Sequence, residues 1–83
     1  MKYFVYMLKC VSLNKRLTYV GYTNNLKQRI LLHNSNKGAK FTKGKKWKLI
    51  YSKRFISKTK AMSYEYKLKH DRKKRLEIYN NSK

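Results

Sequence analysis

The apolar positions along the chain change period several times, and each change marks an element. Tyr3, Phe4, Val5 and Tyr6 give residues 2–10 the aromatic and β-branched weight of a strand. The polar residues 12–16, with Asn14 among them, predict a hairpin loop of about five residues. Residues 17–22 predict a second strand that ends at Gly21. Thr23, Asn24 and Asn25 are N-cap candidates, and Leu26, Ile30 and Leu31 follow at helical spacing towards His33 or Asn34. Residues 35–46 hold Ser35, Asn36, Gly38, Gly44 and a lysine cluster, which predicts a loop. Trp47–Phe55 predicts a third strand, with Leu49, Tyr51 and Phe55 alternating against Lys48 and Lys53. Ser57 is placed to cap a helix through Ala61, Tyr64 and Leu68. Leu76 and Tyr79 lie at i, i+3 and predict a short helix over residues 73–79.

The order β-β-α-β-α-α predicts an α+β fold, a small three-stranded antiparallel sheet flanked by helices. No proline, repeat or low-complexity linker breaks the pattern, so residues 1–83 are expected to form one domain with 80–83 frayed. At 83 residues and 41% hydrophobic content, with eight tyrosines, the core must be small and partly built from amphipathic rings. No apolar run reaches the length of a membrane span, and Lys2 and Lys9 bracket a stretch too short for a secretory signal. The one cysteine, Cys10, excludes an intramolecular disulfide and a multi-cysteine zinc site, and reads as a small buried hydrophobe in a reducing cytoplasm.

Charge narrows the function. Twenty-three Lys or Arg face three Asp or Glu, a net charge of +20, which points to a polyanionic partner. One cluster is Lys37, Lys40, Lys43, Lys45, Lys46 and Lys48; the other is Lys67, Lys69, Arg72, Lys73, Lys74 and Arg75. Nucleic acid is the first reading and an anionic membrane surface the competitor, disfavoured because lysines interrupt every apolar face. The acids restrict the chemistry further. Glu65, Asp71 and Glu77 are six positions apart, roughly 240° round a helix axis, so local geometry does not make them converge. Two-carboxylate glycoside hydrolysis and carboxylate-rich two-metal chemistry are thereby disfavoured, and a metal site here would have a single protein carboxylate.

Arg29 and His33 stand at i, i+4 on one helix face, and Tyr6 and Tyr19 lie on adjacent strands whose parity can bring them to one face. Glu65 lies four residues after Ala61, beside the apolar stripe, and is either paired with Lys69 or kept for a ligand. Phe41, Trp47 and Tyr22 are candidates for base stacking, although Trp47 fits the core better.

On these residues the chain resembles the GIY-YIG nuclease superfamily. Phe4-Val5-Tyr6 stands at the first motif, Tyr19-Val20-Gly21 at the second, followed by Thr23, Asn25-Leu26, Arg29, His33, the stretch Gly-Ala-Lys-Phe-Thr at 38–42 and the Ala61…Glu65 helix. The likeness covers roughly residues 3–72 and is to the short, single-domain bacterial branch, whose module also resembles the catalytic part of structure-specific junction nucleases. It implies a metal-dependent DNA endonuclease with Tyr6, Tyr19, Arg29, His33 and Glu65 as catalytic residues and a role in DNA repair or recombination. Glu65 would hold one divalent cation, Mg²⁺ or Mn²⁺, completed by water and a substrate phosphate. Arg29 would hold the scissile phosphate, Tyr6 would act as the base with Tyr19 positioning it, and His33 would orient a tyrosine or the phosphate. The positive surroundings are expected to favour the tyrosine phenolate. Gly21 would let the chain turn into the helix, and with Lys40, Thr42, Lys43, Lys45, Lys46 and Lys69 would contact nucleic acid. Phe-Val replaces Gly-Ile in the first motif. The late active-site Asn of larger members has no secure counterpart, since Asn80 and Asn81 fall in the tail. Larger members also carry a separate DNA-binding or partner domain, so specificity here could come from a partner protein. The alternative is a non-catalytic binder of structured RNA or DNA that keeps the site as a phosphate clamp.

Overall fold

Residues 2–82 are described by the computed structural model; Met1 and Lys83 lie outside the described residues. Strand β1 (Tyr3–Cys10) is the centre of a three-stranded sheet, with β2 (Thr18–Thr23) and β3 (Trp47–Phe55) antiparallel on either side in the order β2-β1-β3. Helix α1 (Leu26–Asn34) follows β2, and α2 (Lys58–His70) and α3 (Arg72–Asn81) follow β3. The α+β architecture and element order are those expected from the periodicity.

A central strand covered on both faces must be apolar throughout. Val5, Tyr6, Met7 and Leu8 are accordingly all at 0% exposure. Successive side chains point to opposite faces and build two cores. Val5 and Met7 join Val20, Ala61, Leu68 and Ile78 under α2 and α3, while Tyr6, Leu8 and Cys10 join Trp47, Leu26 and Ile30 under α1. Cys10 and Trp47 are core residues, as their types suggest.

The caps explain the helix starts. Asn25 accepts from the Gln28 amide, Ser57 from the Lys60 amide and Asp71 from the Lys74 amide, each satisfying an amide that the first turn leaves orphaned. Asp71 therefore serves α3 structurally. Among the described residues, no helix is long and apolar enough to cross a membrane.

Five expectations change. The simple alternation in β3 fails because a bulge interrupts the ladder between Met7 and Leu8: Tyr51 faces Met7 and Leu49 faces Leu8, leaving Ile50 as the extra residue. Leu49 and Tyr51 thus serve opposite cores. Leu31 is 62% exposed, and His33 takes the buried place on α1. The loop 35–46 contains a 3-10 turn at Lys40–Thr42. Helix α3 runs to Asn81, so Asn80 and Asn81 continue a helix where a frayed tail was expected.

Gly21 is the fifth. It neither ends β2 nor makes a turn; it sits inside the strand, buried, opposite Tyr6. A Cβ there would lie 2.6 Å from the Tyr6 hydroxyl and 2.8 Å from its ring. Glycine is required because the phenol occupies the space that any side chain would fill. Gly21→Ala should therefore destabilise the protein by about 1–3 kcal/mol, the usual range for overpacking, as read by urea denaturation; an unchanged midpoint would contradict this packing.

Candidate active site

The site grows from the Tyr6 hydroxyl, held in the α1-side core. Its oxygen is 2.8 Å from His33 Nε2, and His33 Nδ1 is 2.9 Å from Thr42 Oγ1. The Thr42 hydroxyl donates its one proton to the Ala39 carbonyl at 2.8 Å. It must therefore accept from His33, which places the proton on Nδ1 and makes Nε2 the acceptor of the Tyr6 O–H. The chain is directed: Tyr6 to His33 to Thr42 to Ala39. It is also fully buried, since Tyr6, His33 and Thr42 are all at 0% exposure. Trp47 fixes its far end, its indole N–H donating to the Thr42 carbonyl at 3.0 Å.

The i, i+4 pair on α1 meets this chain from one side. Arg29 lies against the Tyr6 hydroxyl, where its charge favours phenolate, while burial and the charges of Tyr19 and Glu65 oppose it. Burial is the largest effect and the Tyr6 phenol is pushed up to about 12. The expected shift towards phenolate is thus reversed at Tyr6, because a cation beside a group removed from water does not repay the lost hydration. Burial, then the Arg29 charge, push His33 below its ordinary range. The Arg29 Nε is itself buried and has no hydrogen-bond partner. Arg29 lines an open depression of about 440 Å³ with Tyr3, Tyr22, Thr23, Asn24 and Lys58, at the end of the sheet where β2 finishes.

Tyr19 is half-buried on the same face, its ring 4.9 Å from that of His33 and 6.4 Å from that of Tyr6. Glu65 is on α2, near enough for its charge to act on Tyr6. Its side chain is 17% exposed, and one oxygen is 3.7 Å from Lys69 Nζ. The ion pair anticipated from the spacing is present, and it leaves the second carboxylate oxygen out of that contact. The fold therefore gathers Tyr6, Tyr19, Arg29, His33 and Glu65. Among the described residues, no three His, Cys, Asp or Glu side chains form a metal-binding group. A hard cation that takes one carboxylate and otherwise water and phosphate oxygens suits this donor set.

Two of the residues expected to touch nucleic acid are interior. Gly21 is covered by Tyr6, and Thr42 is buried as the acceptor for His33. Lys40, Lys43 and Lys46 are exposed; Lys46 Nζ donates to the Asn34 carbonyl, and Lys45 Nζ donates to the Phe41 carbonyl and lies 5.2 Å from the centroid of the Phe41 ring. Phe41 is 48% exposed and stacks beside Tyr19, an open aromatic surface next to the site. Gly38, quoted only as part of a motif stretch, packs directly on the His33 ring, where a Cβ would collide with it. Periodicity carries no signal for Gly38 or Thr42, because both act across a loop.

The buried neutral His33 links stability to pH. Its folded pKa is lowered, so the unfolded chain binds the proton more readily and stability is lost as pH falls below the ordinary histidine value of about 6.5. Thermal melts should show Tm falling between about pH 6.5 and 5, unchanged in slope by His70→Gln at the exposed second histidine; a flat Tm over that range would contradict the assignment.

Comparison with known proteins gives one answer. A family model described as the GIY-YIG catalytic domain matches residues 2–80. A UPF0213 protein of Oceanobacillus iheyensis is 42% identical over 69 residues, covering 82% of this chain and 77% of its own. The UPF0213 protein YazA of Bacillus subtilis is 40% identical over 78 residues, covering 93% of this chain and 76% of its own. The solution NMR structure of a UPF0213 protein from Bacillus halodurans is similar with a TM-score of 0.57 and 38% identity, over 96% of this chain and 84% of that one. The tyrosine pair on adjacent strands, the Arg29–His33 helix face and the Glu65 helix thus sit in a matched frame, and the chain belongs to the GIY-YIG family, whose catalytic domain implies a nuclease acting on nucleic acid, in general with a metal ion.

Proposed function

We propose that the protein is an endonuclease that hydrolyses phosphodiester bonds in DNA, with one divalent cation, Mg²⁺ or Mn²⁺, at Glu65. The observation that carries this reading is Arg29, whose Nε is buried without a hydrogen-bond partner, whose guanidinium acts on the Tyr6 hydroxyl and which lines an open depression. An orphaned buried donor costs about 1–3 kcal/mol, and a phosphate oxygen is the partner that a guanidinium fork fits best.

The cation, when bound, supplies charge neutralisation at the phosphate. Arg29 holds the phosphate and stabilises the charge that gathers on its oxygens. Solvent reach separates the two tyrosines. Tyr6 is fully buried with its proton directed at His33, whereas Tyr19 is half-buried beside it. We therefore assign Tyr19 as the base, reversing the roles expected from the sequence. Its own proton leaves to solvent, and its oxygen then takes a proton from the attacking water. The water oxygen bonds to phosphorus, the bond to the leaving sugar oxygen breaks, and that oxygen is protonated from solvent. Tyr6, His33 and Thr42 are positioning residues that fix the ring of Tyr19 and the height of Arg29 from beneath.

Flaps, junctions, single strands, duplexes and RNA should be assayed with and without Mg²⁺. DNA cleavage should require the ion, fall by about 10²–10³ in Arg29→Ala, and be lost in Glu65→Ala and Tyr19→Phe. Variants that cut like the parent would overturn the assignment. Salt-dependent binding without cleavage, indifferent to Glu65→Ala, would instead support a non-catalytic nucleic-acid binder.

A further inference from the structure

The chain has five arginines, Arg16, Arg29, Arg54, Arg72 and Arg75. Three of them, Arg16, Arg72 and Arg75, line one depression of about 170 Å³ with Met7, Leu76 and Tyr79, away from Arg29. They come from the hairpin loop and from α3, so only the tertiary fold brings them together. Like charges converge at a cost that needs compensation. The salt bridges among the described residues engage Lys69 and Lys74 and none of these arginines. Arg75 is held in place by its Nε donating to the Leu68 carbonyl at 3.1 Å, and Arg16 by lying 5.6 Å from the centroid of the Tyr79 ring.

The depression is not isolated. A second one, lined by Thr18, Tyr19, Val20, Lys69 and Arg75, shares Thr18 and Arg75 with it and reaches the residue beside Glu65. The depression at Arg29 and Lys58 takes in Tyr22 and Thr23 at the other end of β2. The three follow β2, an outer strand of the sheet, from Thr23 back to Arg16. Five residue steps separate Thr23 from Thr18, about 17 Å at 3.4 Å per residue, the axial rise of about five nucleotides along one strand of a duplex.

We propose that Arg16, Arg72 and Arg75 form a second phosphate-binding subsite, which grips a nucleic-acid strand several nucleotides from the bond at Arg29 and draws it along the outer edge of β2. Arginine suits the task, since its planar fork pairs with phosphate through two bonds where lysine offers a point charge. The inference rests on the nucleic-acid reading above and extends it with residues outside the catalytic constellation.

The test is binding of a fluorescent single-stranded DNA of about twelve nucleotides, by anisotropy at stepped salt without divalent ions, so that it stands whether or not the protein cuts. Arg16→Gln/Arg72→Gln, which leaves the structural Arg75 in place, is compared with the charge-matched control Arg54→Gln/Lys60→Gln. The subsite variant should bind about tenfold more weakly and lose about 1.4 from the slope of log K against log salt, at about 0.7 per contact, while the control stays near the parent. On a dinucleotide too short to span the edge, parent and variant should bind alike. Equal losses in both variants, or no loss in either, would overturn the subsite. So would a loss confined to phosphatidylserine vesicles, which would mark the patch as a membrane contact. Failure of the nuclease reading would show instead as absent cleavage in the parent.

Discussion

The hydrogen bond from Tyr6 to His33 is the contact on which the site depends. It joins the central strand to α1 across the core and is made by two side chains with no access to water. Buried polar groups of this kind are tolerable only when every donor and acceptor is matched, and Thr42 and Ala39 complete the matching. Several otherwise unrelated features then follow. Gly21 must lack a side chain because the Tyr6 phenol lies over it, Gly38 must lack one because His33 lies there, and Trp47 must bond the turn that carries Thr42. The two glycines, the threonine and the tryptophan all serve one chain of bonds.

Burial and charge compete throughout the molecule, and they win in different places. At Tyr6 burial prevails over the neighbouring Arg29, so the residue is best suited to positioning. Tyr19, Arg29 and Glu65 stand on the half-buried rim, where charge can act on a substrate. A chain with +20 net charge has many cations to place. Most lysines are spread over the surface, while four of the five arginines line depressions that follow β2. Repulsion among them is eased by water and counterions at the exposed surface, and a polyanionic partner would relieve it further.

The fold was legible wherever a period was sustained. Trp47–Phe55 and the caps at Asn25, Ser57 and Asp71 are local features, and local rules located the strand and two of those helix starts. The Arg29–His33 pair was legible for the same reason, because i, i+4 spacing is geometry within one helix. What escaped depends on contacts distant in sequence. The bulge at Ile50 shifts the faces of β3 without altering its composition, and Leu31 fits the helical stripe yet meets no partner. Thr42 stands among lysines and looks like surface until His33 is placed beside it. The proposed choice of base rests on how deeply each tyrosine is buried, which a shared motif does not disclose.

Everything in the site rests on His33 being a neutral acceptor for Tyr6, held in one tautomer by Thr42. Nitrogen-15 NMR of the histidine ring reads this directly. Near pH 7 the His33 ring should be neutral, with the proton on Nδ1 and none on Nε2, and Thr42→Val should remove that preference. A ring protonated on Nε2 in the parent, or a doubly protonated imidazolium at that pH, would contradict the account.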